Sequence, residues 1–311
     1  MASIGWIGVA LSFELWMPFV ISALVLGFTG AATSQLFAAI HDELSANPTP
    51  DNDGIVAIVR MSLTAGWVVG PVAGSVLADA FGLRVMFIAI GLTMLSQILP
   101  LGTLRTALPE MHDGSGAGLA DHPSLQVMTP LLMFTGLYIC VYAGEAIKYA
   151  YLPIYMNNDL GFSGSLRGAI IGIQPLVELP LIPVAVVIAK RTGMMRLMVI
   201  AAGFGVGANL LFALSGGAAG LFAGQILMGG VWGVFAALGI IVAQRLLPSA
   251  VATASAIFMS STALSSAVGG LFGGLGADAF GLPHVFFVPA VFGGVAIIGL
   301  VMMDRRFGGM L

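Results

Sequence analysis

"LADAFGLRVMF" at residues 77–87 and "GADAFGLPHVFF" at 276–287 share the phrase ADAFGL, with its aspartates, Asp79 and Asp278, 199 positions apart. In both places a long apolar run ends in the phrase and another begins after it. Gly82 and Gly281 suit the left-handed residue that stops a helix. The match continues upstream, where "VGPVAG" (69–74) stands at the same offset from "VGGLFG" (268–273), and downstream, where Phe87 pairs with Phe286. Two consecutive helices early in the chain are therefore expected to correspond to two late ones.

The solvent of those helices follows from composition. The chain of 311 residues is 59% hydrophobic and 8% charged, whereas a soluble domain carries about 25% charged residues. So few charges cannot cover a water-facing surface, and lipid is the expected surrounding. The apolar runs lack two-residue alternation, which favours helices over a barrel. Inside a bilayer a helix satisfies its own backbone. The net charge of −3 and the absence of a basic block argue against nucleic acid. One cysteine, Cys140, excludes a disulfide framework. His41, His112, His122 and His284 have no metal-ligand spacing, and neither a cofactor nor a metal is expected.

Ten hydrophobic segments can be read, near 3–16, 18–40, 55–78, 84–104, 127–152, 164–189, 195–215, 218–246, 250–277 and 283–303. The polar stretch 105–126, rich in Gly, Pro and Asp, divides them into four and six. Applying the 199-residue offset places the counterparts of segments 127–152 and 164–189 before residue 1. The expectation is an all-α membrane protein of two pseudo-symmetric six-helix halves whose first two helices are absent here. Residues 1–104 would be helices 3–6 of the first half, 105–126 a cytoplasmic linker, and 127–311 the second half. Duplicated halves are a common transporter architecture, with substrate bound near the bilayer midplane.

Basic residues orient the chain. With 105–126 in the cytoplasm, Arg105, Lys190, Arg191, Arg196, Arg245, Arg305 and Arg306 lie inside, against Arg84 and Arg167 outside.

Ionisable groups at membrane depth cost about 2.5–3.5 kcal/mol on insertion scales, so they usually face a cavity or a partner. In "YICVYAGEAIKYAYLP", Tyr138, Tyr142, Glu145 and Tyr149 share one helix face. Lys148, three residues on, can pair with Glu145. Aromatic rings beside hydrogen-bonding groups suit a sugar, although a Glu–Lys pair and an aromatic belt near the outer interface would look the same. In "GIQPLVELPLIP", Gln174 and Glu178 lie one turn apart among Pro175, Pro180 and Pro183. Glu178 falls deep in its segment and has no charged neighbour in sequence. Burial disfavours a charged carboxylate, so it suits reversible protonation; a structural pairing with Arg60 is the alternative. Arg60, Thr64 and Trp67 share a face of an early helix, and Gln35, Asn209, Gln225 and Trp232 are further polar or aromatic positions within apolar segments.

Two motifs carry a resemblance to the major facilitator superfamily. "AGWVVGPVAG" (65–74) fits its antiporter pattern G-x-x-x-G-P-x-x-G through Gly66, Gly70, Pro71 and Gly74. Small residues four apart admit a neighbouring helix, and Pro71 bends its own. "AKRTGMMR" (189–196) resembles the family's second-half basic loop, with Arg191 and Gly193 matching and Lys190 standing where an aspartate belongs. "LFAAIHDE" (36–43), "RMSLTAGWVVGP" (60–71), "GLRVMF" (82–87) and the stretch 177–201 are most similar to the bacterial sugar efflux transporters. The resemblance implies a multi-pass protein of the bacterial cytoplasmic membrane. It also implies proton-driven export of a sugar or related small molecule by alternating access. A multidrug exporter of the same superfamily and a truncated, inactive membrane protein stay open. A membrane enzyme is disfavoured, since no H-E-x-x-H, G-x-S-x-G or buried His–carboxylate set is present.

Overall fold

A computed structural model describes residues 2–26, 52–97 and 124–307, and every regular element among them is helical. The chain forms two compact units, one drawn from residues 1–120 and one from 121–311, with residues 67–69 counted in the second.

The first unit contains α1 (Ala2–Ala10), α2 (Met17–Leu24), α3 (Asn52–Phe81) and α4 (Leu83–Ser96). The apolar run expected to be one helix over 3–16 stops at Ala10. Pro18 lies in the first turn of α2, a position that tolerates its missing N–H, whereas the interior of a longer helix would not. α1 packs on α4. Ser3 Oγ donates to the Gly91 carbonyl at 2.7 Å, and Trp6 stacks on Phe87 at 5.7 Å. A Cβ at Gly91 would stand 2.7 Å from Ile7, so glycine there sets the close approach.

The second unit holds α5 (Leu125–Asn158), α6 (Gly164–Thr192), α7 (Met194–Leu214), α8 (Ala218–Leu246), α9 (Val251–Phe280) and α10 (Phe287–Phe307). These six are long and apolar enough to cross a membrane; Val69–Phe81 and Leu83–Ser96 are shorter apolar stretches. α5 runs through Pro130 and Pro153 to Asn158, six residues past its expected end. Leu152 at the expected end and Tyr155 and Met156 in the extension are buried, and Tyr155 donates to the Ser215 carbonyl at 3.1 Å. Packing therefore keeps helical a segment that proline alone would end. Ser163 caps α6 by accepting from the Leu166 N–H at 3.4 Å, and Gly193, at φ 90°, closes it.

The repeated phrase marks a repeated structure. α3 and α9 are each 30 residues long, and both ends of α9 follow those of α3 by 199 positions. The Gly82 N–H donates to the Ala78 carbonyl at 2.8 Å and the Gly281 N–H to the Ala277 carbonyl at 2.9 Å. Both glycines have positive φ, 85° and 67°, but their ψ values, 163° and −174°, are extended rather than left-handed helical. That combination is essentially open to glycine alone.

Candidate functional site

The second unit brings four polar side chains together in its interior. Glu145 lies near the middle of the 34-residue α5. Lys148 is 1% exposed and Glu145 7%, and their Nζ–Oε1 distance is 2.8 Å. Gln174 of α6, 3% exposed, joins both: its Nε2 donates to Glu145 Oε1 at 2.9 Å, and its Oε1 accepts from Lys148 Nζ. Trp232 of α8 completes the set, its Nε1–H donating to Glu145 Oε2 at 2.9 Å. Glu145 thus accepts three hydrogen bonds on two oxygens, the pattern of a carboxylate held by donors. A buried ion pair needs such extra bonds to offset its desolvation.

Aromatic rings close one side. Tyr142 meets Trp232 edge to face at 4.8 Å and stacks with Tyr138 at 5.8 Å. Tyr138 in turn contacts Phe258 of α9 at 4.5 Å. Lys148 Nζ lies 4.3 Å from the Tyr149 ring centroid, within cation–π range.

Glycines on α8 bring α6 to this position. A Cβ at Gly229 would stand 2.8 Å from the Gln174 carbonyl, and one at Gly233 would stand 2.5 Å from Leu181 Cβ. Only residues without a side chain permit that approach. One turn beyond Gln174, half-buried Glu178 lies within electrostatic range of both Glu145 and Lys148. Among the described residues it makes no hydrogen bond and no ion pair.

The sequence-derived residues fall into distinct places. Glu145, Lys148, Gln174, Glu178, Tyr142 and Tyr149 gather in this region. The side chains of Arg60, Thr64 and Trp67 lie outside the described residues, as does Gln35. Gly66 and Gly70 are exposed, and among the described residues an added Cβ would meet nothing within 4 Å at either, while at Gly74 it would meet Met86 Sδ at 3.8 Å. Arg191 is exposed at the end of α6. Asn209 donates to the Gly205 carbonyl at 2.8 Å, and Gln225 is fully buried. Trp232 ranks only as a further position in the sequence; its partner sits on another helix, and sequence spacing carries no signal for that bond. Phe258 is missed for the same reason.

A groove of about 440 Å³ opens between α5 and α9, lined by Leu132, Thr135, Ile139, Ser260, Ser261 and Leu264 among others. It shares no residue with the Glu145 cluster. Thr135 Oγ1 is buried at its wall and has no hydrogen-bond partner among the described residues. No cluster of His, Cys, Asp and Glu among the described residues could hold a metal.

Membrane-length helices, a buried charged cluster between them and a repeated helix and turn are the features of a polytopic transporter-type protein. The pattern of the Major Facilitator Superfamily matches residues 134–308, more than half of the chain, and the chain belongs to that family. It is 27% identical to sugar efflux transporter A of Dickeya chrysanthemi over 276 residues, which cover 87% of this chain and 68% of that protein. Identity to sugar efflux transporter A of Escherichia coli (strain K12) is 28% over 281 residues, 88% of this chain and 69% of the relative. Sugar efflux transporter B of Salmonella typhimurium is 23% identical over 277 residues, 87% and 68% of the two chains. The chain is a multi-pass integral membrane protein of the bacterial inner membrane.

Proposed function

We propose that this protein exports sugars or sugar-like small molecules by alternating access, as a proton-coupled antiporter. The observation that carries the reading is the cluster of Glu145, Lys148, Gln174 and Trp232 against Tyr142 and Tyr138. Buried charge within a membrane protein marks a substrate or ion pathway more often than a structural contact. Apolar ring faces beside donors and acceptors match the apolar faces and hydroxyl rim of a sugar. The names of the three relatives favour the same substrate class.

In this reading residues 1–104 belong to the N-terminal half, 105–126 are the cytoplasmic linker and 127–311 the C-terminal half. Gln174, Glu145, Lys148, Tyr142, Tyr149, Arg60 and Trp67 line the pathway. Glu178 carries the proton. Gly66, Gly70, Pro71 and Gly74 shape a bending helix, and Arg191 with Gly193 forms a gating loop.

The test uses the whole chain reconstituted in vesicles, with radiolabelled lactose, glucose and sucrose as probes and an imposed proton gradient. Uphill movement of at least one sugar is expected. Glu178→Gln should abolish uphill movement while keeping downhill exchange, because glutamine mimics the protonated acid. If no sugar moves, or if only a cationic dye such as ethidium moves, the sugar reading falls. Gradient-driven transport by Glu178→Gln at the parent rate would place the proton elsewhere.

A further inference from the structure

Two carboxylates and one ammonium share the interior of the second unit. Glu145 and Glu178 carry two negative charges when ionised, and Lys148 carries one positive charge. We infer that this cluster is a one-proton device: Lys148 neutralises one carboxylate, and a single proton neutralises the surplus one. The inference rests on the proton-coupled reading above and adds to it a count and a division of labour.

The geometry assigns the two roles. Glu145 is fully engaged, by Lys148 and Gln174 on Oε1 and by Trp232 on Oε2. All three partners donate to Glu145, which favours its ionised form. Glu178 has no hydrogen bond among the described residues and is half-buried rather than sealed. It stands one helical turn from Gln174, whose amide already touches both Glu145 and Lys148. Positions four apart on a helix are neighbours, which places Glu178 beside the residue that already bonds both Lys148 and Glu145. The half-buried carboxylate can exchange a proton, and the engaged one keeps Lys148 occupied.

Among the described residues of the second unit, no other titratable group changes the count. Tyr138, Tyr142 and Tyr149 share the α5 face that carries Glu145, and phenols are neutral near pH 7. α7 and α8, which pack on α6, carry charges only at Arg196 and Arg245, in the first turn of one and the last turn of the other.

Charge counting makes an outcome that simple proximity would not. In Glu145→Gln, Glu178 becomes the one carboxylate available to Lys148. The pair is then neutral, no surplus charge remains for a proton to cancel, and proton exchange at the intact Glu178 is lost. Removing the ammonium as well, in Glu145→Gln/Lys148→Met, frees Glu178 and restores one proton. Lys148→Met alone leaves two unneutralised carboxylates and takes up two.

The test is infrared difference spectroscopy of the whole purified chain across a pH titration, which counts protonated carboxyl groups and needs no substrate. Exposed carboxylates are common to every variant and cancel in the differences. The expected count in the cluster is one for the parent, none for Glu178→Gln, none for Glu145→Gln, two for Lys148→Met and one for the double variant. A carboxyl band retained in Glu145→Gln, or a count still at one in Lys148→Met, overturns the inference. If Glu145→Gln does not purify as a folded protein, the Lys148→Met and double variants decide the matter. A parallel lactose counterflow assay separates the two readings. Counts as expected with no sugar transport leave the one-proton cluster standing and sink the sugar assignment. Gradient-driven sugar transport with a different count does the reverse.

Discussion

The same glycine pair occurs twice and meets two different surroundings. Gly269 and Gly273 of α9 stand 199 positions after Gly70 and Gly74 of α3. In α9 a Cβ at Gly269 would lie 2.6 Å from the Ala143 carbonyl of α5, and one at Gly273 would lie 3.1 Å from Ile147. Among the described residues, a Cβ at Gly70 of α3 would meet nothing within 4 Å, and one at Gly74 would meet only Met86 Sδ. Those α5 residues flank Glu145, so the glycines of α9 also fix the depth and rotation of the charged cluster. The difference shows that a motif specifies a docking face and not its occupant. In the second unit that face is filled by α5.

Substitutions can break this comparison, and the largest effect is expected at the buried charged cluster of the second unit. Glu145→Ala leaves Lys148 buried without its carboxylate and should destabilise by about 3–5 kcal/mol, read as a loss of thermal stability in detergent. An unchanged melting temperature would mean that the pair is not buried. Next comes Gly269→Leu, which forces a side chain into the α5 backbone; overpacking of this kind costs about 1–3 kcal/mol. Gly70→Leu in the same assay should cost no more than about 0.5 kcal/mol, the ordinary range for an open site. Equal losses at the two positions would erase the contrast.

A third pair of substitutions sharpens what the units share. Gly82→Ala and Gly281→Ala both place a Cβ at positive φ with extended ψ, at a cost of about 1–3 kcal/mol each. The two losses should agree, since the turns make the same N–H to carbonyl bond. A loss at only one would separate the turns energetically. The smallest effect is expected for Arg196→Ala. Its 3.3 Å pair with Asp304 is 73% exposed on the arginine side, and such pairs contribute under about 1 kcal/mol. Raising the salt concentration should erase whatever difference it makes.

Much of this architecture is legible in the amino-acid order. Low charge and long apolar runs require lipid-facing helices, because backbone groups in hydrocarbon have no water to bond. ADAFGL gives the position and residue type of the two turns, because only glycine adopts their backbone without strain. It also gives the register in which α9 repeats α3. The break read between 3–16 and 18–40 is where α2 begins, with Pro18 in its first turn, a position that tolerates the missing N–H. Pro153 carries the opposite lesson. It reads as a stop, yet α5 passes through it because Leu152, Tyr155 and Met156 are held by neighbouring helices.

The charged cluster divides along the same line. Glu145 and Lys148 are three residues apart on one helix, and Gln174 and Glu178 four apart on another, so each pair is visible as local spacing. That α6 turns Gln174 toward Glu145 and Lys148 is decided by Gly229 and Gly233 of α8, through contacts between residues more than fifty positions apart. Trp232 becomes a donor to Glu145 only because α8 lies against that region. Local order fixes helices, turns and the faces they present, since those depend on bonds within a few residues. Which face meets which depends on packing summed over many side chains, and only the tertiary structure decides it.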